Sequence, residues 1–320
     1  MRSYIIRRFL LMIPTVFFVT VIIFTTLRLI PGSVVDLMVD NYSAGIGSVT
    51  AAARQVIIHQ LGMDVPIYEQ YARWLGQIFH GNLGTAIWTQ TPVSGAIKTR
   101  WPITFELGVL GIIMAELIAL PIGIFSALRQ NTWGDLVGRS FAILCIAVPS
   151  FWLATLVIVY PSIWWGYMPS LMLIKFTADP LGNLKMFIVP AIVLGMGMSG
   201  GTMRMTRTMM LEVMRQDYIR TAWAKGLKER IVVIRHALKN ALIPIVTMTG
   251  QQLGMLVGGT VIIESIFGLP GMGQLIINSL TTRDYVTFEA CLLLYAVVLV
   301  FINLLTDLTY GFLDPRIHYN

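Results

Sequence analysis

Residues 203–244 read MRMTRTMMLEVMRQDYIRTAWAKGLKERIVVIRHALKNALIP, a basic stretch of helical pattern set between two long apolar runs. Charge of this density between hydrophobic runs belongs in water between two membrane spans. Asp217 falls in the first turn of one helix and Lys225 in its last, each complementing the helix dipole, and Gly226 supplies a left-handed stop. In the helix that follows, Ile231, Ile234, Leu238 and Leu242 share one face at helical spacing, with Lys228, Arg235 and Lys239 as a basic stripe beside them. Pro244 marks the passage into the next apolar run. A helix-glycine-helix hairpin of this kind suits a groove on a partner protein, although local pattern alone also allows a positively charged loop at the membrane surface.

The whole chain supports a membrane setting for that hairpin. Its 320 residues are 56% hydrophobic and 12% charged, which excludes an ordinary soluble domain and describes an all-α polytopic membrane protein. A net charge of +7 could suggest nucleic acid, but the basic residues lie mostly in short segments beside apolar runs, and no nucleic-acid-binding motif accompanies them. Cys145 and Cys291 each sit inside an apolar run and imply no disulfide framework. The histidines, His59, His80, His236 and His318, are dispersed without metal-ligand spacing, so neither a metal nor a cofactor is expected. No phosphate-binding loop is present, so any ATP that drives the protein is hydrolysed by another polypeptide.

Six spans are expected, at about 9–26, 103–128, 140–160, 186–201, 241–267 and 288–313. The first follows Arg2, Arg7 and Arg8 and lacks a signal-peptide cleavage site, so it is read as a retained helix with a cytoplasmic N-terminus. Segment 33–100 is too long for a plain connection. Within it Ile67, Tyr71, Trp74, Leu75 and Ile78 give one helix an apolar side fit for the membrane interface. Pro149 interrupts the third span, and the aromatic exit YPSIWWGYMPS reads as an interfacial belt. In the second span Glu116 is an expensive carboxylate, explained by a hydrogen bond to a neighbouring helix or by a role in a pathway. In the fifth, Gly250, Gly254 and Gly258 recur every four residues and mark close helix packing, with a second subunit as the expected neighbour, or a gate.

The segment DYIRTAWAKGLKERIVVIRHALKNALIPIV resembles the cytoplasmic "EAA" loop of permease subunits in binding-protein-dependent ABC importers, specifically the first-permease type of the peptide/nickel branch. Arg220 and Thr221 stand where the general motif has Glu and its first Ala, whereas Ala222 and Gly226 match directly. Ile243-Pro244 replaces its later Leu-Pro, further downstream. The departures are similar to that branch's own form, Arg-Thr-Ala-x-Ala-Lys-Gly. RWLG…GNLG, RWPITFELG, ESIFGLPGMG, RDY and NLLTDLTYGFLDPRI extend the likeness over nearly the whole chain.

The resemblance implies one permease domain over 1–320, with 33–100 on the side of a solute-binding protein and 203–244 as the coupling hairpin. Its coupling residues would be Asp217, Arg220, Thr221, Ala222, Lys225, Gly226, His236 and Pro244. It further implies a second homologous permease, two ATP-binding subunits, and a prokaryotic plasma membrane with both termini cytoplasmic. The excess of Lys and Arg in the segments assigned inside agrees with that topology. Di- or oligopeptides are the first choice of substrate, with nickel chelates and glycosides left open. An ion-coupled carrier using Glu116 is the competing class, opposed by the large basic hairpin and the lack of an evident inverted repeat. A membrane-embedded enzyme is opposed by the absence of a clustered nucleophile, acid-base pair or ligand set.

Overall fold

The structure, a computed structural model, describes residues 2–29, 35–36, 39, 54–55, 58–59, 62–166 and 173–313. Its principal helices are α1 (Arg2–Leu29), α2 (Ile67–Phe79), α3 (Val93–Leu128), α4 (Trp133–Ala147), α5 (Ser150–Trp165), α6 (Pro180–Met214), α7 (Asp217–Ala224), α8 (229–267), α9 (Met272–Thr281) and α10 (Tyr285–Leu313). Among the described residues the one β pairing is an isolated bridge between Thr85 and Pro92.

Five helices, α1, α3, α6, α8 and α10, have the length and apolarity to cross a bilayer alone. The pair α4 and α5 qualifies together, bent by 94° where Val148 and Pro149 interrupt it, and a second bent pair, 260–267 with α9, qualifies likewise, so the described helices give five to seven candidate spans, a range that holds the six expected. Pro149 cannot donate a backbone hydrogen bond, and it biases Val148 out of the helical region, where ψ is 119°. Along α1, Phe9, Leu10, Leu11, Ile13, Phe17, Phe18 and Ile22 are all exposed, an apolar surface that lipid would cover.

Several boundaries differ from those read in the sequence. The fourth span is the middle of α6, a helix of 35 residues. At 1.5 Å per residue that is about 52 Å, well beyond a hydrocarbon core of about 30 Å, so one end carries the chain clear of the membrane. The helix of the third span, expected from about 140, begins at Trp133. Pro244 lies inside continuous helix and ends nothing, because the only hydrogen bond it forfeits is one to Asn240, whose turn is held by its neighbours.

The molecule divides into two compact units. In the first, whose described residues fall within 2–9, 102–273 and 298–313, α6 packs against α4, α5 and α8. Leu107, Ala154, Phe187, Val193, Ile263 and Leu269 form its main core. The buried Asp135 of α4 receives Arg207 of α6 through two hydrogen bonds, Nε to Oδ1 at 2.7 Å and Nη2 to Oδ2 at 2.9 Å, and also the Asn131 N–H at 3.0 Å. Arg207 is thus committed to a bidentate ion pair, although the sequence presents it simply as one more inside charge.

The second unit holds 10–101 and 274–297. Tyr71 of α2 hydrogen-bonds Thr20 of α1 at 2.8 Å and, with Trp74, packs on Phe24. Four of the five residues read as the apolar side of α2, Tyr71, Trp74, Leu75 and Ile78, are half-buried, whereas Ile67 is exposed. Arg28 pairs with the buried Glu289 of α10 and lies over the Phe24 ring, so it is held by protein and not by the membrane surface. Asp284, of the RDY motif, caps α10 by accepting the Thr287 N–H and hydroxyl and also takes the Ile87 N–H at 3.2 Å.

Candidate functional site

The hairpin closes through local chemistry. Gly226 has φ +74°, its N–H bonds to the Trp223 carbonyl at 2.8 Å and the Leu227 N–H reaches back to Ala222 at 3.4 Å, the pair of bonds of a Schellman stop. A Cβ at Gly226 would meet nothing within 4 Å, so the demand for glycine is conformational and not steric. Asp217 opens α7 and Lys225 follows its last residue as the C-cap.

The inward face of the second arm is a correction to the sequence reading. Val232–Leu238 is wound as a π-helix, and Val232, Val233, Ala237 and Ala241 are the buried residues, packed with Ile219, Ala222 and Met210. Ile231 and Ile234 stay exposed, and Leu238 and Leu242 are half-buried. A π turn closes on residue i+5, so Val232 is followed on its own face by Ala237, a spacing that an α-helical count misplaces. Tyr218 ties the arms together: its hydroxyl accepts from Asn240 Nδ2 at 2.8 Å and donates to the His236 carbonyl at 3.5 Å.

The outward face is therefore mixed. Tyr218, Trp223, Ile231 and Ile234 are exposed apolar groups, and Arg220, Lys225, Lys228, Arg230, Arg235 and Lys239 are exposed cations, with Asp217 and Glu229 as exposed acids. Thr221 is exposed, Ala222 is buried, and His236 and Pro244 are half-buried. The Arg220–Asp217 ion pair, 3.4 Å long and solvated on both sides, adds little stability and leaves Arg220 available.

A second feature lies within the spans. Glu116 of α3 accepts a hydrogen bond from Thr249 Oγ1 of α8 at 2.8 Å. Both line a cleft of about 370 Å³ together with Gly250, Ile302, Leu305, Thr306 and Thr309. A Cβ on Gly250 would come within 2.5 Å of Thr306 Oγ1, and one on Gly254 within 2.8 Å of Leu299 Cδ1, whereas Gly258 faces open space. Within this chain the first two glycines meet α10.

Glu264, quoted within ESIFGLPGMG but given no role, proves to be fully buried. Its carboxylate accepts Thr104 Oγ1 at 2.6 Å and the Gly273 N–H at 2.7 Å, while Thr104 Oγ1 takes the Met272 N–H at 2.8 Å. The first N–H groups of α9 are thus satisfied by side chains, one of them, Thr104, far away in sequence. Gly268, at φ +67°, ends α8, and a Cβ on Gly271 or Gly273 would overlap the Glu264 carboxylate. An acidic residue at the end of an apolar run, followed by three closely spaced glycines, was the available signal.

A helical membrane protein with a basic hairpin is the class that this architecture defines. The family described as binding-protein-dependent transport system inner membrane component matches residues 119–319, and its N-terminal companion matches 1–108. The chain belongs to this family, the permeases of ABC importers. It is 36% identical to the oligopeptide transport system permease protein AppB of Bacillus subtilis and 35% identical to the glutathione transport system permease protein GsiC of Pectobacterium atrosepticum, each over the full length of both chains. A Brucella suis biovar 1 permease provisionally named for peptide transport is 37% identical, also over both full lengths. Among solved structures, an inward-facing MetNI methionine ABC transporter chain matches with TM-score 0.55 at 17% identity, over 69% of this chain and 97% of that one, a likeness of fold.

Proposed function

We propose that this chain forms half of the pathway of an ATP-driven importer of di- or oligopeptides, paired with a second homologous permease. Two separate ATPase subunits dock on its hairpin, and an external binding protein delivers substrate on the side of segment 33–100. Both termini lie in the cytoplasm of a prokaryotic cell. The observation that carries the coupling role is the outward face of the hairpin. Four apolar side chains and six cations of the hairpin are exposed, on a support whose inner face is buried and whose turn is closed at Gly226. Exposed aromatic groups beside arginines are the composition of an interface core, whereas a merely solvated loop would not hold its apolar groups in a fixed frame. Asp217, Arg220, Thr221, Lys225 and His236 belong to this docking unit, Ala222 to its inner packing, and Pro244 to the helix that transmits its motion. Peptide chemistry is supported by the names of the full-length relatives.

The test is ATP-dependent uptake of trialanine into vesicles holding all subunits. Gly226→Val should abolish uptake and reduce co-purification of the ATPase subunits while the permease stays in the membrane. Undiminished co-purification with normal uptake would remove the coupling role.

A further inference from the structure

The cleft around Glu116 offers an unusual balance of hydrogen-bonding groups. Thr249 Oγ1 lies 2.8 Å from Glu116 Oε1 and 3.0 Å from the Ile245 carbonyl and shares its single proton between them, while Thr247 donates to Ile243, Thr306 to Ile302 and Thr309 to Leu305, at 2.7 to 3.3 Å. Every hydroxyl that lines the cleft is therefore already a donor to protein, and what each has left to offer is a lone pair. Among the described lining residues there is no lysine, arginine or histidine, and the rest of the wall is aliphatic apart from Gly250. The cleft thus presents one carboxylate and several acceptor oxygens in apolar surroundings, with no spare proton donor.

A carboxylate between membrane helices is costly unless a cation or a proton meets it. One threonine hydroxyl does not balance a full charge. A carboxylate, a phosphate or a neutral carbonyl group would find only repulsive lone pairs here, so the cleft selects against them. A primary ammonium group brings three N–H donors and one positive charge, which matches the wall, and a volume of about 370 Å³ admits the short chain that carries it. Gly250 keeps the site open, because a side chain there would drive Thr306 out of place.

We infer that this cleft is a binding site for the primary ammonium group of the transported substrate, with Glu116 holding the charge and Thr306 and Thr309 accepting the remaining N–H groups. On the peptide-import reading, on which the identity of the substrate rests, that group is the amino terminus of the peptide.

The experiment uses the complete importer in membrane vesicles. Dicyclohexylcarbodiimide attaches covalently to carboxyl groups in apolar surroundings, and its addition at Glu116 is read by mass, with Glu116→Gln as the unlabelled control. n-Hexylammonium should slow labelling by about tenfold, the strength of a charge-assisted hydrogen bond, and hexanamide, of like shape without the charge, should not. In parallel, Glu116→Gln should lower trialanine uptake to the rate of N-acetyltrialanine. Equal protection by both probes, or by neither, overturns the site, as does labelling that follows pH alone, the behaviour of a proton carrier. Protection by hexylammonium in a complex that imports no peptide would keep the site and remove the peptide reading.

Discussion

The two ends of α8 are both finished by glycine turns, and they are built for opposite purposes. Before its first residue, Gly226 turns at φ +74° with open space where a side chain would go, and the bonds that define the turn all come from within a few residues. After its last, Gly268 turns at φ +67°, and the following glycines lie against a buried carboxylate whose other partner, Thr104, stands 160 residues away in sequence. The first turn is local and presents a surface. The second is global and fills a core.

Mutations that separate the two turns sharpen this contrast. The largest effect is expected from Glu264→Ala, which strips the acceptor from the buried Gly273 N–H and Thr104 hydroxyl and should cost about 3–5 kcal/mol. Thermal unfolding of the purified subunit reads this directly, and an unchanged midpoint would show that the clamp carries no stability. Gly271→Ala comes next. Its new Cβ overlaps the Glu264 carboxylate, and overpacking of this kind costs about 1–3 kcal/mol by the same assay.

At the other turn, Gly226→Ala should cost only about 1–2 kcal/mol, the penalty of a left-handed L-residue. Gly226→Asn should cost less, since asparagine tolerates that conformation. Comparable destabilisation by Gly226→Ala and Gly271→Ala together with a new clash at position 226 would erase the distinction between a conformational and a packed glycine.

The smallest effects belong to the stripe inside α8. Gly250→Ala should cost about 1 kcal/mol through Thr306, whereas Gly258→Ala, with open space around it, should be neutral or stabilising by up to about 1 kcal/mol from helix propensity. Equal costs at the two positions would show that they share one packed face, as the four-residue repeat by itself suggests. Gly254→Leu should disturb the contact with Leu299, and a cross-link from position 254 to α10 would locate that face.

Periodicity, charge and the placement of Gly and Pro carried much of the architecture. The bend at Pro149, the basic hairpin and the stop at Gly226 depend on bonds within a few residues, and such bonds leave a mark in sequence. The boundaries that shifted did so because helices extend past the apolar run that announces them: α6 continues through Arg204, Arg207 and Glu212 to Met214, since helix needs only backbone partners and compatible side chains, whatever the surrounding solvent.

What the amino-acid sequence determined by itself is the class of protein, the apolar runs and the position of the basic hairpin, because hydropathy and local turn chemistry are properties of neighbouring residues. The tertiary structure alone decided the rest. It turned Val232, Val233 and Ala237 inward through a π-helix, joined Glu264 to Thr104, set Thr249 against Glu116 and placed Gly250 on Thr306. Each of these depends on which distant segment arrives as a neighbour, and a one-dimensional pattern of apolar and charged residues holds no information on that point until the helices have packed.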